Sequence, residues 1–205
     1  MIKAILFDVD GVLIDTLDGN RKTFNHVLEE IGAKPLSAQE YRRFYFRPAR
    51  KVFAALLPQK SGQEIEEIIN TFLPITSDYF KFDKVNPHVV ETLDALKPFR
   101  MGVVTNRLNA DILDFFHLKG YFQAVVCFSD VKNHKPHPEP VQLALSKLGV
   151  RPEESIFIGD AQSDLEAAKG AGVRTAIYRN PDVMGDWNVT DFREIPKIVE
   201  RQNSA

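Results

Sequence analysis

The sequence predicts an α/β fold: a parallel sheet flanked by helices, with a helical unit inserted after the first strand. Three observations carry this. Short apolar runs recur, and each ends at or near a polar residue; helical patterns separate the later runs; and the first interval between runs is far longer than the others. Continuous apolar character marks strands buried on both faces, as a parallel sheet requires. Alternation of such runs with helical patterns then sets the class.

The first run covers residues 2–7 and ends at Asp8. The second covers 101–104 and ends at Thr105, the third covers 125–128 and ends at Ser129, and the fourth covers 156–158 and ends near Asp160. A fifth covers 175–178. Between them, Val90, Leu93 and Leu96 follow Asn86-Pro87, a helix-start signal. Ile112, Leu113 and Phe116 supply the next helical pattern. Val141, Leu145 and Leu148 stop at Gly149, and Leu165, Ala168 and Ala171 stop at Gly172, glycine being a common helix terminator. Segment 181–188, including Trp187, reads as loop, and 191–199 as a last short helix.

One gap breaks the alternation. A crossover between parallel strands needs about a dozen residues, yet Asp15 and Met101 stand several times farther apart. Within that gap, residues 17–84 read as helices without a strand. Phe24, Val27, Leu28 and Ile31 end at Gly32; Val52, Phe53, Leu56 and Leu57 follow Pro48 and end at Pro58. Ser61 and Glu64 form a capping-box signature ahead of Ile65, Ile68, Ile69 and Phe72. The expected domains are therefore 1–16 with 85–205, and an inserted unit 17–84. The insertion departs near the end of the first strand, where open α/β folds place their ligands, and reads as a lid.

Composition narrows the function. The chain has 205 residues, enough for one domain with an insertion. Its 26 Lys+Arg against 28 Asp+Glu leave a net charge of −2, which argues against a broad basic surface for nucleic acid. Cys127 is the single cysteine, so an intrachain disulfide and a zinc cluster of cysteines are excluded. The opening MIKAILFD shows no leader pattern, and no apolar run approaches the roughly 20 residues that span a bilayer. A cytoplasmic location without membrane partners is the expectation; oligomeric state is not legible.

Chemistry gathers at the strand ends. Asp8 and Asp10 stand at alternate positions past a buried strand, which aims both one way if the extended geometry persists, and Gly11 then lets the chain turn. Two carboxylates this close call for a cation, with magnesium the hard-ion choice; the same residues also suit a plain turn. Asp160 and Asp164 form a second pair at a helix start, where they serve either an ion or the helix dipole. Thr105 and Asn106 offer a hydroxyl and an amide before a helix, a setting that favours anions. Lys135 sits in NHKPHPEP near another strand end. In the inserted unit, Arg47, Arg50 and Lys51 form a cationic cluster that reads either as a contact to a substrate carboxylate or second phosphate, or as a solvated helix start. Arg107, beside Asn106, is a further candidate substrate contact. His134 and His137 flank Lys135-Pro136 at a spacing poor for a shared metal and read as loop residues.

The ordered set Asp8-x-Asp10, Thr105-Asn106, Lys135 and Gly159-Asp160-x-x-x-Asp164 resembles the four motifs of the haloacid dehalogenase (HAD) superfamily. The insertion is similar to its C1-type cap, and the KPHPEP and AAKGAG stretches resemble its phosphoglycolate phosphatase-like branch. The resemblance implies a Rossmann-like core and a small phosphorylated metabolite as substrate. It implies Asp8 as a nucleophile that forms an aspartyl-phosphate, and Asp10 as general acid and base. It implies Mg2+ held by the Asp8 carboxylate, the Asp10 main-chain carbonyl and Asp160, with Asp164 supporting through water. Thr105, Asn106 and Lys135 would hold the phosphoryl oxygens, and Lys135 would also balance the carboxylates. A β-phosphoglucomutase-like phosphotransferase and a slow-turnover phosphoacceptor protein stand as alternatives. Against the first, Asn20 occupies the place of a mutase histidine, and Gly159 stands where mutases tend to carry Glu. The presence of Asp10 argues against dehalogenation and against the phosphoacceptor.

Overall fold

The computed structural model describes residues 1–204, the side chain of Leu73 excepted, so the last position of the expected 85–205 segment lies outside the described residues. The chain divides into two compact units: Met1–Asp15 together with the chain from Val85 onward, and Thr16–Lys84. In chain order, β1 (Ala4–Phe7) and the two-residue β2 (Ile14–Asp15) precede helices α1 (Leu17–Glu30), α2 (Ala38–Arg42), α3 (Ala49–Leu56) and α4 (Gly62–Ile75). A 3-10 segment, Thr76–Phe82, leads to β3 (Lys84–Val85), which pairs with β2. Then come α5 (Val89–Ala95), β4 (Arg100–Val104), α6 (Asp111–Phe115), β5 (Ala124–Val126), α7 (Glu139–Leu148) and β6 (Ser155–Gly159). The chain ends with α8 (Gln162–Gly170), β7 (Arg174–Tyr178), β8 (Trp187–Val189) and α9 (Glu194–Ser204).

In the first unit, six parallel strands lie in the order β5-β4-β1-β6-β7-β8. Every residue of β1 is buried because helices cover both faces of the sheet. On one face Ala4 and Leu6 pack with Val141, Ala144 and Leu145 of α7 and with Ala167 and Ala168 of α8. Phe7, which points the other way, stacks on Phe192, and Phe192 meets Tyr178 edge-on. Chain order runs from β1 outward to β4 and β5, then returns to β6 on the opposite side of β1. That reversal opens a crevice beyond the ends of β1 and β6, the usual ligand position of such sheets.

Four local features differ from the sequence reading. β5 stops at Val126 rather than continuing to 128, because the Cys127 amide turns onto the Asp130 carboxylate (2.7 Å) and Phe128–Asp130 forms a 3-10 turn. β8 begins inside the segment read as loop and ends one residue past it; it is a three-residue edge strand paired with β7. In the second unit, α2 was not expected, yet its Ser37 and Glu40 form the same reciprocal capping box that starts α4 at Ser61 and Glu64. This unit has its own core, in which the Phe24 ring lies 4.7 Å from both Phe53 and Phe72. Lys84, its last residue, opens β3 rather than continuing the helical pattern. Among the described residues no helix is long and apolar enough to cross a membrane.

Candidate active site

Parallel strands end at one edge of the sheet, so the residues just past β1, β4 and β6 become neighbours. Asp8, Thr105 and Asp160 are those residues, and all three are buried. Lys135 reaches them from the loop between β5 and α7. Its ammonium lies 2.8 Å from Asp8 Oδ1 and 2.7 Å from Asp164 Oδ1, and it donates to the Val104 carbonyl at 3.0 Å. An ammonium has three N–H donors, and here each has an acceptor.

Asp164, on the first turn of α8, is fully buried. Its Oδ1 faces Lys135, and its Oδ2 accepts from the backbone amides of Asp160 (3.1 Å) and Ala161 (3.0 Å). It ties the β6–α8 turn to Lys135. Two glycines make the packing possible. A Cβ on Gly159 would lie 2.4 Å from the Cβ of Asp164, so no side chain fits there. Gly11 has φ +76°, and a Cβ on it would lie 1.7 Å from Asp160 Oδ2.

Three asparagines fasten the main chain around these groups. Asn106 donates to the Lys135 carbonyl and accepts from the Lys135 amide, both at 3.1 Å. Both polar atoms of that amide thus hold the Lys135 loop. Asn86 donates to the carbonyls of Gly11 (3.1 Å) and Val12 (2.8 Å), securing the turn after β1. Asn180, buried just past β7, donates to the Asp160 carbonyl at 2.6 Å. Sequence reasoning missed the roles of Asn86 and Asn180; the signal was a polar residue close to a strand end or junction.

Thr105 donates its amide to the Val126 carbonyl (3.0 Å), and its Oγ1 accepts from the Arg107 amide (3.2 Å). The Arg107 guanidinium in turn donates to Asp10 Oδ1 at 2.6 Å. Asp8 and Asp10 thus meet different cations. The inserted unit's cationic cluster has local partners: the Arg47 guanidinium lies over the Phe44 ring at 5.7 Å, and Arg50 pairs with Glu66. The Asn20 side chain donates to Thr16 Oγ1 at 3.1 Å. His134 stacks on Phe128, and His137 approaches Glu139, so the two histidines serve separate loop contacts.

The electrostatics follow from burial. Desolvation raises the Asp8 carboxyl to about 7, against the opposing pull of Lys135, and Asp164 and Asp10 add to the rise. Asp160 is pushed well above the carboxylate range by burial first, then by Asp164 and Asp8. Burial pulls Lys135 down, but Asp164 and Asp8 together outweigh it and hold the ammonium above the ordinary lysine value. Three buried carboxylates therefore face one buried ammonium. Oxygens of Asp8, Asp160 and Asp164 lie within 4.8 Å of one another, and among the described residues no side chain donates to the Asp160 carboxylate. This donor set is all-oxygen and carries more carboxylates than ammonium groups, which fits a hard divalent cation.

Residues 5–178 match the family model described as haloacid dehalogenase-like hydrolase. The chain belongs to this family. It is an enzyme, and its sheet is the Rossmann-like core of haloacid dehalogenase-like hydrolases. It is 34% identical to pyrophosphatase PpaX of Bacillus pumilus, an alignment covering 85% of this chain and 82% of that one. It is 32% identical to a phosphoglycolate phosphatase of Aquifex aeolicus, over 93% of this chain and 91% of that protein. A HAD-superfamily hydrolase of subfamily IA, variant 1, from Geobacter sulfurreducens superposes with a TM-score of 0.77 at 31% identity, covering 96% of each chain.

Proposed function

We propose that this chain is a magnesium-dependent phosphatase that hydrolyses a small phosphomonoester through an aspartyl-phosphate on Asp8. The observation that carries the reading is Asp8 itself, a buried carboxylate at the end of β1 with one oxygen held 2.8 Å from Lys135. A carboxylate so fixed is an oriented nucleophile.

In the first step an Asp8 oxygen attacks phosphorus, the bond to the ester oxygen breaks, and Asp10 delivers a proton to that departing oxygen. In the second, Asp10 takes a proton from water as the water attacks phosphorus. The Asp8–phosphorus bond then breaks, releasing phosphate and restoring both carboxyl groups. The Thr105 hydroxyl, the Asn106 backbone N–H and the Lys135 ammonium donate to the phosphoryl oxygens. Asp8, Asp160 and the Asp10 main-chain carbonyl would hold the magnesium ion, with Asp164 supporting them. When bound, the ion offsets charge on the carboxylates and the transferring oxygens. The inserted unit would act as a lid that excludes water in the first step.

Phosphoglycolate is the leading substrate, supported by the likeness to a phosphoglycolate phosphatase, and the likeness to pyrophosphatases supports inorganic pyrophosphate as a second candidate. Asn20 and the crowding at Gly159 weigh against a phosphomutase. A cytoplasmic location is supported by the single cysteine, which leaves the chain no intrachain disulfide. The test is phosphate release from a panel of small phosphomonoesters, with magnesium or a chelator, for wild type and Asp8→Asn. Metal-dependent turnover by wild type and essentially none by Asp8→Asn is the expected result. A fully active Asp8→Asn enzyme would falsify the nucleophile assignment.

A further inference from the structure

We propose that Arg107 selects substrates carrying a second anionic group within a few atoms of the scissile phosphate, by exchanging its ion pair with Asp10 for that group. This rests on the phosphatase reading above and deepens it.

Lys135 and Arg107 each hold a carboxylate after β1, and they differ in whether they can read a second anion. Lys135 has its three donors on Asp8, Asp164 and the Val104 carbonyl, and its side chain is 3% exposed. Arg107 is placed differently. Its side chain is 10% exposed, and the Asp10 side chain that it holds is 30% exposed, so the pair has an open side. Its backbone is anchored twice, with the amide on Thr105 Oγ1 at 3.2 Å and the carbonyl accepting from Phe128 at 2.8 Å. The backbone that carries the guanidinium is thus anchored to the residue whose hydroxyl would hold the phosphoryl group. Guanidinium groups match carboxylates and phosphates alike, and the Asp10 carboxylate at 2.6 Å marks where such a ligand group sits.

The exchange couples recognition to chemistry. While Asp10 Oδ1 lies on Arg107, it is directed at the guanidinium rather than at a leaving oxygen. A substrate anion that takes the guanidinium frees Asp10 to face that oxygen, so selectivity falls on kcat as well as KM. The tether must be short, because the second anion replaces a carboxylate that itself works at the leaving oxygen. A carboxylate on the carbon next to the ester oxygen meets this requirement, and so does a phosphoryl group sharing the bridging oxygen.

The experiment compares 2-phosphoglycolate, inorganic pyrophosphate and the neutral counterpart 2-hydroxyethyl phosphate in wild type, Arg107→Met and Arg107→Lys, with magnesium. Wild type is expected to favour one or both anionic substrates by about a hundredfold in kcat/KM, largely through kcat, and Arg107→Met to bring that ratio below about threefold. Arg107→Lys retains an intermediate ratio, which separates lost recognition from misfolding. Whichever anionic substrate carries the preference identifies the group as carboxylate or phosphate. Calorimetric binding to Asp8→Asn and to the Asp8→Asn, Arg107→Met double variant reads recognition without turnover: the first should prefer phosphoglycolate over the neutral ester, the second should not. A ratio unchanged in both Arg107 variants of an active enzyme overturns the role of Arg107 and leaves the phosphatase reading intact. Wild type inert toward every phosphomonoester overturns the phosphatase reading, while the binding comparison still decides the anion site.

Discussion

Lys135 and Arg107 each hold a carboxylate of the loop after β1, Lys135 taking Asp8 at 2.8 Å and Arg107 taking Asp10 at 2.6 Å. The distances are alike and the surroundings are not. Lys135 is buried, doubly paired with carboxylates and saturated with acceptors, and its backbone is clamped by Asn106. The Arg107–Asp10 pair is open on the Asp10 side. Equal hydrogen-bond lengths therefore carry different energies. Breaking a buried pair strands a charge in a poorly solvated site, whereas a half-open pair is screened and its groups can turn to water. The first kind of contact builds a site and the second can be exchanged by a ligand.

The largest expected effect tests that division. Lys135→Met leaves Asp8 and Asp164 without their cation and should lower stability by about 3–5 kcal/mol. Arg107→Met should cost clearly less, because Asp10 is partly exposed and can turn to water. Denaturant unfolding of both variants, with a chelator present, measures the two losses. Equal losses would show that burial does not separate the pairs, and the contrast between structural and exchangeable contacts would fail.

A second prediction concerns the ion that would complete the buried cluster. Asp8, raised to about 7, and Asp160, also raised, keep protons in the folded metal-free protein that the unfolded chain has already lost. Their contribution to stability is thus fully present below the unfolded carboxyl range and is lost as pH rises through their raised folded values, about 7 for Asp8. The carboxyls of Glu64, which is exposed, and Glu154, which is buried, are lowered to about 2 by their hydrogen bonds, so they act in a lower pH range. Magnesium competes with the protons on Asp8 and Asp160, so its stabilisation should grow with pH. At saturating magnesium, a hundredfold above Kd, it should reach about 2.7 kcal/mol, and should be clearly smaller at pH 5 than at pH 8. Thermal unfolding with magnesium or chelator at both pH values checks the sign. A magnesium shift of the same size at both would separate the raised carboxyls from the metal site.

Much of this site was readable before any coordinates. Asp8, Thr105 and Asp160 are the residues just past β1, β4 and β6, and apolar runs betray where buried strands end. Parallel strands end at one edge, so the convergence of those three follows from the alternation of strand and helix. The contacts that finish the site were not readable. Arg107 meets Asp10 across 97 residues, Asn86 meets Gly11 across 75 and Asn180 meets Asp160 across 20, and no period in the chain announces a side chain that crosses such intervals. β8 escaped for a different reason. It is an edge strand of three residues in which only Val189 is buried, so it lacks the continuous apolar character that marks the inner strands. α2 carries a legible capping box but buries only Tyr41, too little for an apolar stripe.

The smallest effect separates two asparagines that do similar work on different loops. Asn106 clamps Lys135, a group that holds the nucleophile, whereas Asn180 donates to the Asp160 carbonyl and accepts from the Asp182 amide. Asn180→Ala removes a donor to one buried carbonyl and lets the turn bearing the Asp160 carboxylate relax, while Lys135, Asp8 and Thr105 keep their partners. Groups that orient a metal-binding carboxylate commonly tune affinity by an order of magnitude, so magnesium should bind about tenfold more weakly. That corresponds to about 1.4 kcal/mol, with kcat at saturating magnesium falling much less. Asn106→Ala should reverse the pattern, lowering kcat with little change in magnesium affinity, because it loosens the lysine and leaves the carboxylates of the ion site in place. Magnesium titrations of activity on both variants read the two parameters together. If Asn180→Ala lost kcat while keeping its magnesium affinity, Asp160 would act at the phosphoryl group rather than at the ion.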